Sequence, residues 1–353
     1  VFHGTVAVTA LNATDNPGPG VAVARALRAD PTFEGRLIGL AYDAFDPGLF
    51  APGLFDACYL LPYATEDRQA TLDRLAYVVD QQGALVLIPN LDLELPALLG
   101  QEQALADIGV SALLPSRRAF DRRAKAALGG LRDHGIPTPR TEPAVEAARV
   151  AELFEELGAP MVVKGAFYGA TVCRSAAAAT DAFHTLAARW GYPILCQQHV
   201  EGDEVVVCAV GDGEGGTVEA VAMKKLMLTD LGKGWAGVTV QDTGALDLAR
   251  RVIATLKWRG PLEVELRRER PHTYHLLEVN PRLPAWCDLT QAAGCNLPLA
   301  VVRMASGLAP DVGTPQPGKA FVRISIDQMI DIGDLDAIAT TGEIVAADPG
   351  SPT

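Results

Sequence analysis

The stretch PLEVELRRERPHTYHLLEVNPR, Pro261 to Arg282, constrains this chain more than any other. Two apolar runs flank the charged segment RRERP, the pattern of a β-hairpin with that segment at its turn. Side chains two apart on a strand share a face. Glu263 and Glu265 therefore lie together on the first strand, and Glu278 and Asn280 on the second. Pairing of the strands brings Glu265, Glu278 and Asn280 onto one face. Two carboxylates and an amide oxygen are hard donors, which suit Mg²⁺ held against nucleotide phosphates better than zinc. Arg282 follows on the same alternation. Acids beside an arginine fit phosphoryl transfer, in which a metal takes up charge and the arginine holds what is transferred. A solvated edge hairpin would account for the charges, but not for acids set in the apolar context YHLLEVNP.

Around this hairpin the chain reads as α/β. The first ~115 residues alternate strand-like runs (TVAVTAL, RLIGLAYD, ACYLLPY, ALVLIPN) with helical ones (VAVARALRAD, TLDRLAYVVDQQG, ELPALLGQEQALADIG), which implies a doubly wound, mostly parallel sheet. Loops after the strands, Asn12–Gly20 and Pro89–Asp92, then fall at the carboxyl ends where ligands bind. A boundary is expected near Ser116, followed by a helix from Phe120 to Gly135 and a proline-rich joint, IPTPRTEP. Next come a helix to Leu157, a strand PMVVKG, a helix SAAAATDAFHTLAARWG, paired strands PILCQQHV and DEVVVCAVGDG, a strand over Val218–Lys225 and a helix GALDLARRVIATLKW. The final ~40 residues suggest a closing strand–helix–strand piece.

Two further segments bear on chemistry. Lys164 ends the apolar strand PMVVKG ahead of glycines, so it can point at phosphates while the following backbone covers them. In LCQQHVEGDE, the backbone from Gln197 to Val200 can pair with an adenine edge and Glu204 can accept from ribose hydroxyls. A plain strand end and a plain β-turn are the competing readings of these two segments.

Other classes are excluded. Of the 353 residues, 30 are Lys or Arg and 43 are Asp or Glu, for a net charge of −13, which argues against nucleic acid and anionic membrane partners. No apolar run reaches the ~20 residues of a membrane span, and no signal-peptide pattern is read. The six cysteines form no C-x-x-C pair and no zinc spacing, so they read as reduced thiols of a cytoplasmic protein. There is no G-x-S-x-G elbow, no Walker A motif and no helical H-x-x-x-H. The NPGPG loop lacks the dinucleotide glycine fingerprint and reads as a structural turn.

GIPTPR, PMVVKG, QQHVEGDE and above all LLEVNPRLP, in that order, resemble the ATP-grasp superfamily with its preceding Rossmann-like domain, on the side of carbamoyl phosphate synthetase, biotin carboxylase and D-alanine–D-alanine ligase. The resemblance runs from about Thr5 to Gly307. It implies a Rossmann-like domain over residues 1–115 and an ATP-grasp domain over 116–310. The latter would hold a lid subdomain at about 160–215 and a metal-site subdomain at about 216–310, with a closing segment over 311–353. By the resemblance Glu265, Glu278 and Asn280 match the metal ligands, and Arg282 the arginine of NPR. Lys164 matches the lysine on the α- and β-phosphates, Gln197, Gln198, His199 and Val200 the adenine hinge, and Glu204 the ribose acid. Lys224 matches the basic residue near the γ-phosphate, with Lys225 as its rival. Arg122 matches an early ATP-facing residue, with Arg123 and Lys125 competing. The segment GAFYGATVC is shorter than the family's usual lid, and the hinge carries glutamines where many relatives carry an acid.

The function so implied is that of an ATP-dependent, ADP-forming ligase. It would join small-molecule carboxylates and amines through an acyl phosphate, with ATP and Mg²⁺ (or Mn²⁺), in a family where homodimers are common. The alternatives are a bicarbonate-dependent carboxylase or carbamoyl-phosphate-type enzyme, and an ATP-binding module without turnover.

Overall fold

The structure, a computed structural model, describes residues 1–13, 16–166 and 169–345. Strands β1 (Thr5–Val8), β2 (Arg36–Ala41), β3 (Ala57–Leu60), β4 (Leu85–Ile88) and β5 (Val110–Ala112) run parallel in the order β3-β2-β1-β4-β5. Each is a short apolar run because both faces of the sheet are covered. Val6 and Val8 pack towards the helix Pro19–Arg28, and Ala7 and Ile38 towards the helix Arg68–Gln82. The NPGPG glycines serve this packing. A Cβ on Gly20 would stand 2.1 Å from the Thr9 carbonyl oxygen, and one on Gly18 2.3 Å from that of Ala10. The strand order reverses between β1 and β4, so Thr9–Asn12 and Asn90–Asp92 lie at the switch point, where open α/β sheets present ligand loops.

A four-stranded antiparallel sheet follows: β6 (Thr141–Ala144), β7 (Met161–Gly165), β8 (Ala170–Cys173) and β9 (Ile194–Gln198), in the order β6-β9-β7-β8. The helices Ala147–Leu157 and Ala176–Trp190 cover it and form a separate core around Leu153, Met161, Val163, Phe183 and Cys196. Ser175 starts the second helix by accepting from the Ala178 amide.

The largest sheet is antiparallel throughout: β10 (Asp203–Asp212), β11 (Thr217–Leu228), β12 (Gly234–Thr239), β13 (Arg259–Arg270), β14 (Thr273–Asn280) and β15 (Ala320–Val322), in the order β14-β13-β10-β11-β12-β15. One face packs on the helix Thr243–Leu256 and Trp258. The other shares a core with the first sheet's layer, through Val206, Cys208 and Val221 against Leu283 and Leu297. The chain ends its described course in β16 (Glu343–Val345), antiparallel on the edge of β3.

Several local expectations change. PILCQQHV and DEVVVCAVGDG do not pair: β9 lies between β6 and β7 and β10 between β11 and β13, so the chain changes sheets across His199–Gly202. The helix expected from Glu94 to Gly109 is split at Gly100, whose φ is +81°, into Leu95–Leu98 and Glu102–Asp107. The helix expected from Phe120 to Gly135 is two pieces. Arg117–Arg122 is capped by Ser116, and Leu128–His134 is a 3₁₀ turn containing Gly129 and Gly130. The closing strand–helix–strand forms as expected, but β15 joins the large sheet and β16 the first. No described helix is long and apolar enough to cross a membrane.

Candidate functional site

The hairpin of β13 and β14 aligns Glu263 with Asn280 and Glu265 with Glu278. The structure thus brings Glu265, Glu278 and Asn280 together, and adds Glu263. The Asn280 amide nitrogen donates to Glu263 Oε2 at 3.1 Å and to Glu265 Oε1 at 3.0 Å. Glu263 also accepts from Trp286 Nε1 at 2.7 Å, so the buried Trp286 ring carries a polar contact to the site. On the neighbouring strand Glu204 lies opposite Arg267, which donates to it at 2.9 Å.

Cations meet these acids from several elements. Lys225 on β11 stands 2.9 Å from Glu204 and 3.8 Å from Glu265. Lys125, just beyond the Arg117–Arg122 helix, stands 3.3 Å from Glu278. Arg282 has Nη1 3.5 Å from Glu263, and its Nε lies 3.3 Å from Asp92, which arrives from the loop after β4. Lys164 comes from β7 of the four-stranded sheet, is half-buried and makes no salt bridge among the described residues. Burial pulls its pKa below the ordinary lysine value, against the pull of Glu278 and Glu265. Burial likewise raises Glu263 and Glu278 above the ordinary carboxylate range. Burial acts on Glu265 too, but Lys225 and Arg282 outweigh it and hold that carboxyl below the range. Lys225 is raised for the reciprocal reason: Glu265 and Glu204 overcome the cost of burial.

Two expected residues lie elsewhere. Lys224 is on the opposite face of β11, where it bonds Asp203 at 3.0 Å, and Asp203 is shared with Arg268. Lys225 faces the acids instead, because a step of one residue on a strand turns the side chain to the other face. Arg122 donates to the Thr255 carbonyl at the end of the Thr243–Leu256 helix, at 3.0 Å, whereas Lys125 faces the acids. At the end of β9, Gln197 is buried with its amide nitrogen on Thr141 Oγ1 at 2.9 Å. Gln198 is exposed, and its backbone nitrogen bonds the Arg140 carbonyl. His199 and Val200 are half-buried in the crossing between the two sheets. Phe167 and Tyr168, the middle of the expected lid, lie outside the described residues.

Sequence reasoning passed over Glu263 and Asp92 as site residues. Glu263 carried the signal, being two residues from Glu265. Asp92 sat in a strand-end loop already marked as a ligand position.

The donors on offer to a cation are all oxygens: Glu265, Glu278 and the Asn280 carbonyl, whose amide nitrogen is committed to two carboxylates. Among the described residues no three His, Cys, Asp or Glu side chains gather to hold a metal ion. The site therefore fits a hard divalent cation that completes its shell with phosphate and water oxygens, and does not fit zinc.

A family profile described as ATP-grasp in the biosynthetic pathway with Ter operon matches residues 192–329. The D-alanine–D-alanine ligase of Albidiferax ferrireducens is 38% identical over 87 residues, which is 24% of this chain and 25% of that one. The chain thus spans about a quarter of the length of that curated relative. Biotin carboxylase from Campylobacter jejuni superposes with a TM-score of 0.66 at 15% identity, covering 86% of this chain and 71% of that one. L-amino acid ligase from Bacillus licheniformis superposes with a TM-score of 0.62 at 16% identity, covering 86% and 74%. Residues 192–329 thus match an ATP-grasp family, and the fold, with its parallel sheet ahead of two antiparallel ones, is similar to the folds of these solved structures.

Proposed function

We propose that this protein is an ATP-dependent, ADP-forming ligase that joins a small carboxylate to an amine through an acyl phosphate. The observation that carries the reading is the convergence of Glu265, Glu278 and Asn280 with Lys225, Lys125 and Arg282 on one sheet face. Divided by role, residues 1–115 bring the loop that carries Asp92, 116–310 hold ATP and the metal, and the described part of 311–353 closes the body. The names of the D-alanine–D-alanine ligase and L-amino acid ligase relatives support the reaction class.

Lys164 and Lys125 hold the phosphates, and Lys225 serves the γ-phosphate. The backbone of Gln197–Val200 receives the adenine, and Glu204, fixed by Lys225 and Arg267, accepts from ribose hydroxyls. Glu265, Glu278 and Asn280 hold Mg²⁺ or Mn²⁺, which when bound supplies charge neutralisation at the phosphates. A substrate carboxylate oxygen attacks the γ-phosphorus, ADP leaves, and the amine then attacks the acyl carbon and expels phosphate. Arg282 is always charged and offers parallel N–H donors, so it grips the acyl phosphate as that charge develops. The six cysteines are separate buried thiols, in keeping with a cytoplasmic location.

The test is a panel of carboxylates and amines scored for ADP release, with hydroxylamine then replacing the amine. Hydroxamate and ADP are expected, and Arg282→Lys should lower ligation by about 10–10³-fold while MgATP still binds. Stoichiometric AMP and pyrophosphate would overturn the mechanism.

A further inference from the structure

Asp92 reaches the site from the first sheet, on a turn that is tied to the ends of three strands. The Glu94 amide donates to the Leu91 carbonyl at 3.2 Å, which closes the turn over β4 with Asp92 and Leu93 at its tip. The Glu94 carboxylate folds back and accepts from the Leu91 amide at 2.9 Å. It also accepts from the Thr9 hydroxyl, just beyond β1, and from the Tyr42 hydroxyl, just beyond β2, at 2.6 Å. Thr9 Oγ1 accepts in turn from the Asn90 amide at 2.8 Å. A buried carboxyl is costly unless it is hydrogen-bonded. Glu94 is buried, and its bonds all fix one two-residue tip whose polar side chain is Asp92.

From that tip Asp92 Oδ1 stands 3.3 Å from Arg282 Nε. At the other end of the guanidinium, Nη1 donates to the Leu283 carbonyl at 3.3 Å and lies 3.5 Å from Glu263. Nη2 makes no hydrogen bond among the described residues. Burial opposes the charge of Arg282, and of the acids that offset it Asp92 acts most strongly, ahead of Glu263, Glu265 and Glu278. Those three belong to the hairpin that leads into Arg282, whereas Asp92 is placed by another layer.

Given the ligase reading, on which this rests, we infer that Asp92 is the positioning residue of Arg282, holding Nε so that Nη2 directs its donors at the transferred phosphoryl group. Asp92 acts through the guanidinium and touches no substrate. Leu283 and Glu263 both meet Nη1, so without Asp92 the fork is free to swing about that end. A guanidinium grips an anion through paired N–H donors in one plane, and a swing misdirects them without removing their charge. ATP binding depends on other cations, Lys164, Lys125 and Lys225. The loss then falls on the step in which the phosphoryl group moves.

A double-mutant cycle tests this, with hydroxylamine as the nucleophile and the carboxylate selected by ADP release. Asp92→Asn keeps the size of the side chain and removes its charge. It should lower kcat for hydroxamate formation by about 10–10²-fold, the scale of a misplaced reacting group. The MgATP-induced rise in melting temperature should not change. Made on top of Arg282→Lys, the same substitution should cost less than about twofold, because residues that act as a unit are not additive. Wild-type turnover by Asp92→Asn, an equal cost in both backgrounds, or loss of the MgATP shift together with turnover would each overturn the inference. No hydroxamate from the wild-type chain would instead overturn the ligase reading itself.

Discussion

Lys225 lies 2.9 Å from Glu204, whereas its neighbour Lys224 reaches Asp203 on the far face of the same strand. The two positions therefore differ in kind. Lys225→Ala should abolish most of the MgATP-induced rise in melting temperature and lower turnover by roughly 10²-fold, the scale of one lost charge-stabilising donor. Lys224→Ala should leave both near wild type, and equal effects from the two would remove Lys225 from the site. Glu94, fully buried at the switch point, accepts from Thr9 Oγ1, Tyr42 Oη and the Leu91 amide. Burial still raises its pKa above the ordinary value of 4.5. A carboxyl raised on folding keeps its proton in the native state where the unfolded chain has released it. Its contribution to stability is therefore full below about 4.5 and declines as pH rises to the native value. Wild type should gain stability over Glu94→Gln as pH falls through that window. A melting-temperature difference that is flat with pH would show that Glu94 does not titrate there.

At the scale of elements, the same hairpin that aligns Glu265 with Glu278 leaves no freedom in its register, since a slip by one residue would turn both acids into the core around Trp258. The helix Pro19–Arg28 is placed as strictly, by contact between Gly20 and β1. Gly20→Ala drives a Cβ to 2.1 Å from the Thr9 carbonyl oxygen, and neither backbone can yield cheaply. A loss of about 1–3 kcal/mol in denaturant unfolding is expected, as for overpacked cores. Gly129→Ala, with nothing within 4 Å of its Cβ, should be neutral or gain up to about 1 kcal/mol. If both variants unfold at the same denaturant concentration, the close approach at Gly20 carries no energy.

For the molecule as a whole, the site is shared among three bodies. Asp92 comes from the first sheet, Lys164 from the four-stranded sheet, and the acids from the large one. The four-stranded sheet has a core of its own, so its docking on the large sheet depends on what lies between them. A nucleotide held by both Lys164 and Lys225 would join the two sheets. MgATP should then slow amide hydrogen exchange in β7 and β9 more than in β1 and β4. Protection confined to the large sheet would show that Lys164 does not take part.

The sequence by itself determined the α/β alternation of the first part, the acid-bearing hairpin and its partners Glu265, Glu278 and Asn280. These are signals of local period, and a strand's two-residue repeat needs no knowledge of the rest of the chain. It also carried the superfamily resemblance through LLEVNPRLP. It could not determine which of Lys224 and Lys225, or of Arg122 and Lys125, faces the acids. Those choices depend on the register of β11 on β10, which sets Lys224 opposite Val205, and on where a broken helix ends. Nor could it separate β9 from β10, adjacent in sequence but claimed by different sheets, since strand partners are chosen by long-range packing. Asp92 joins Arg282, 190 residues away, only because the first sheet presents its carboxyl-end loop to the hairpin. That contact is a property of how the layers stack, which no local pattern encodes.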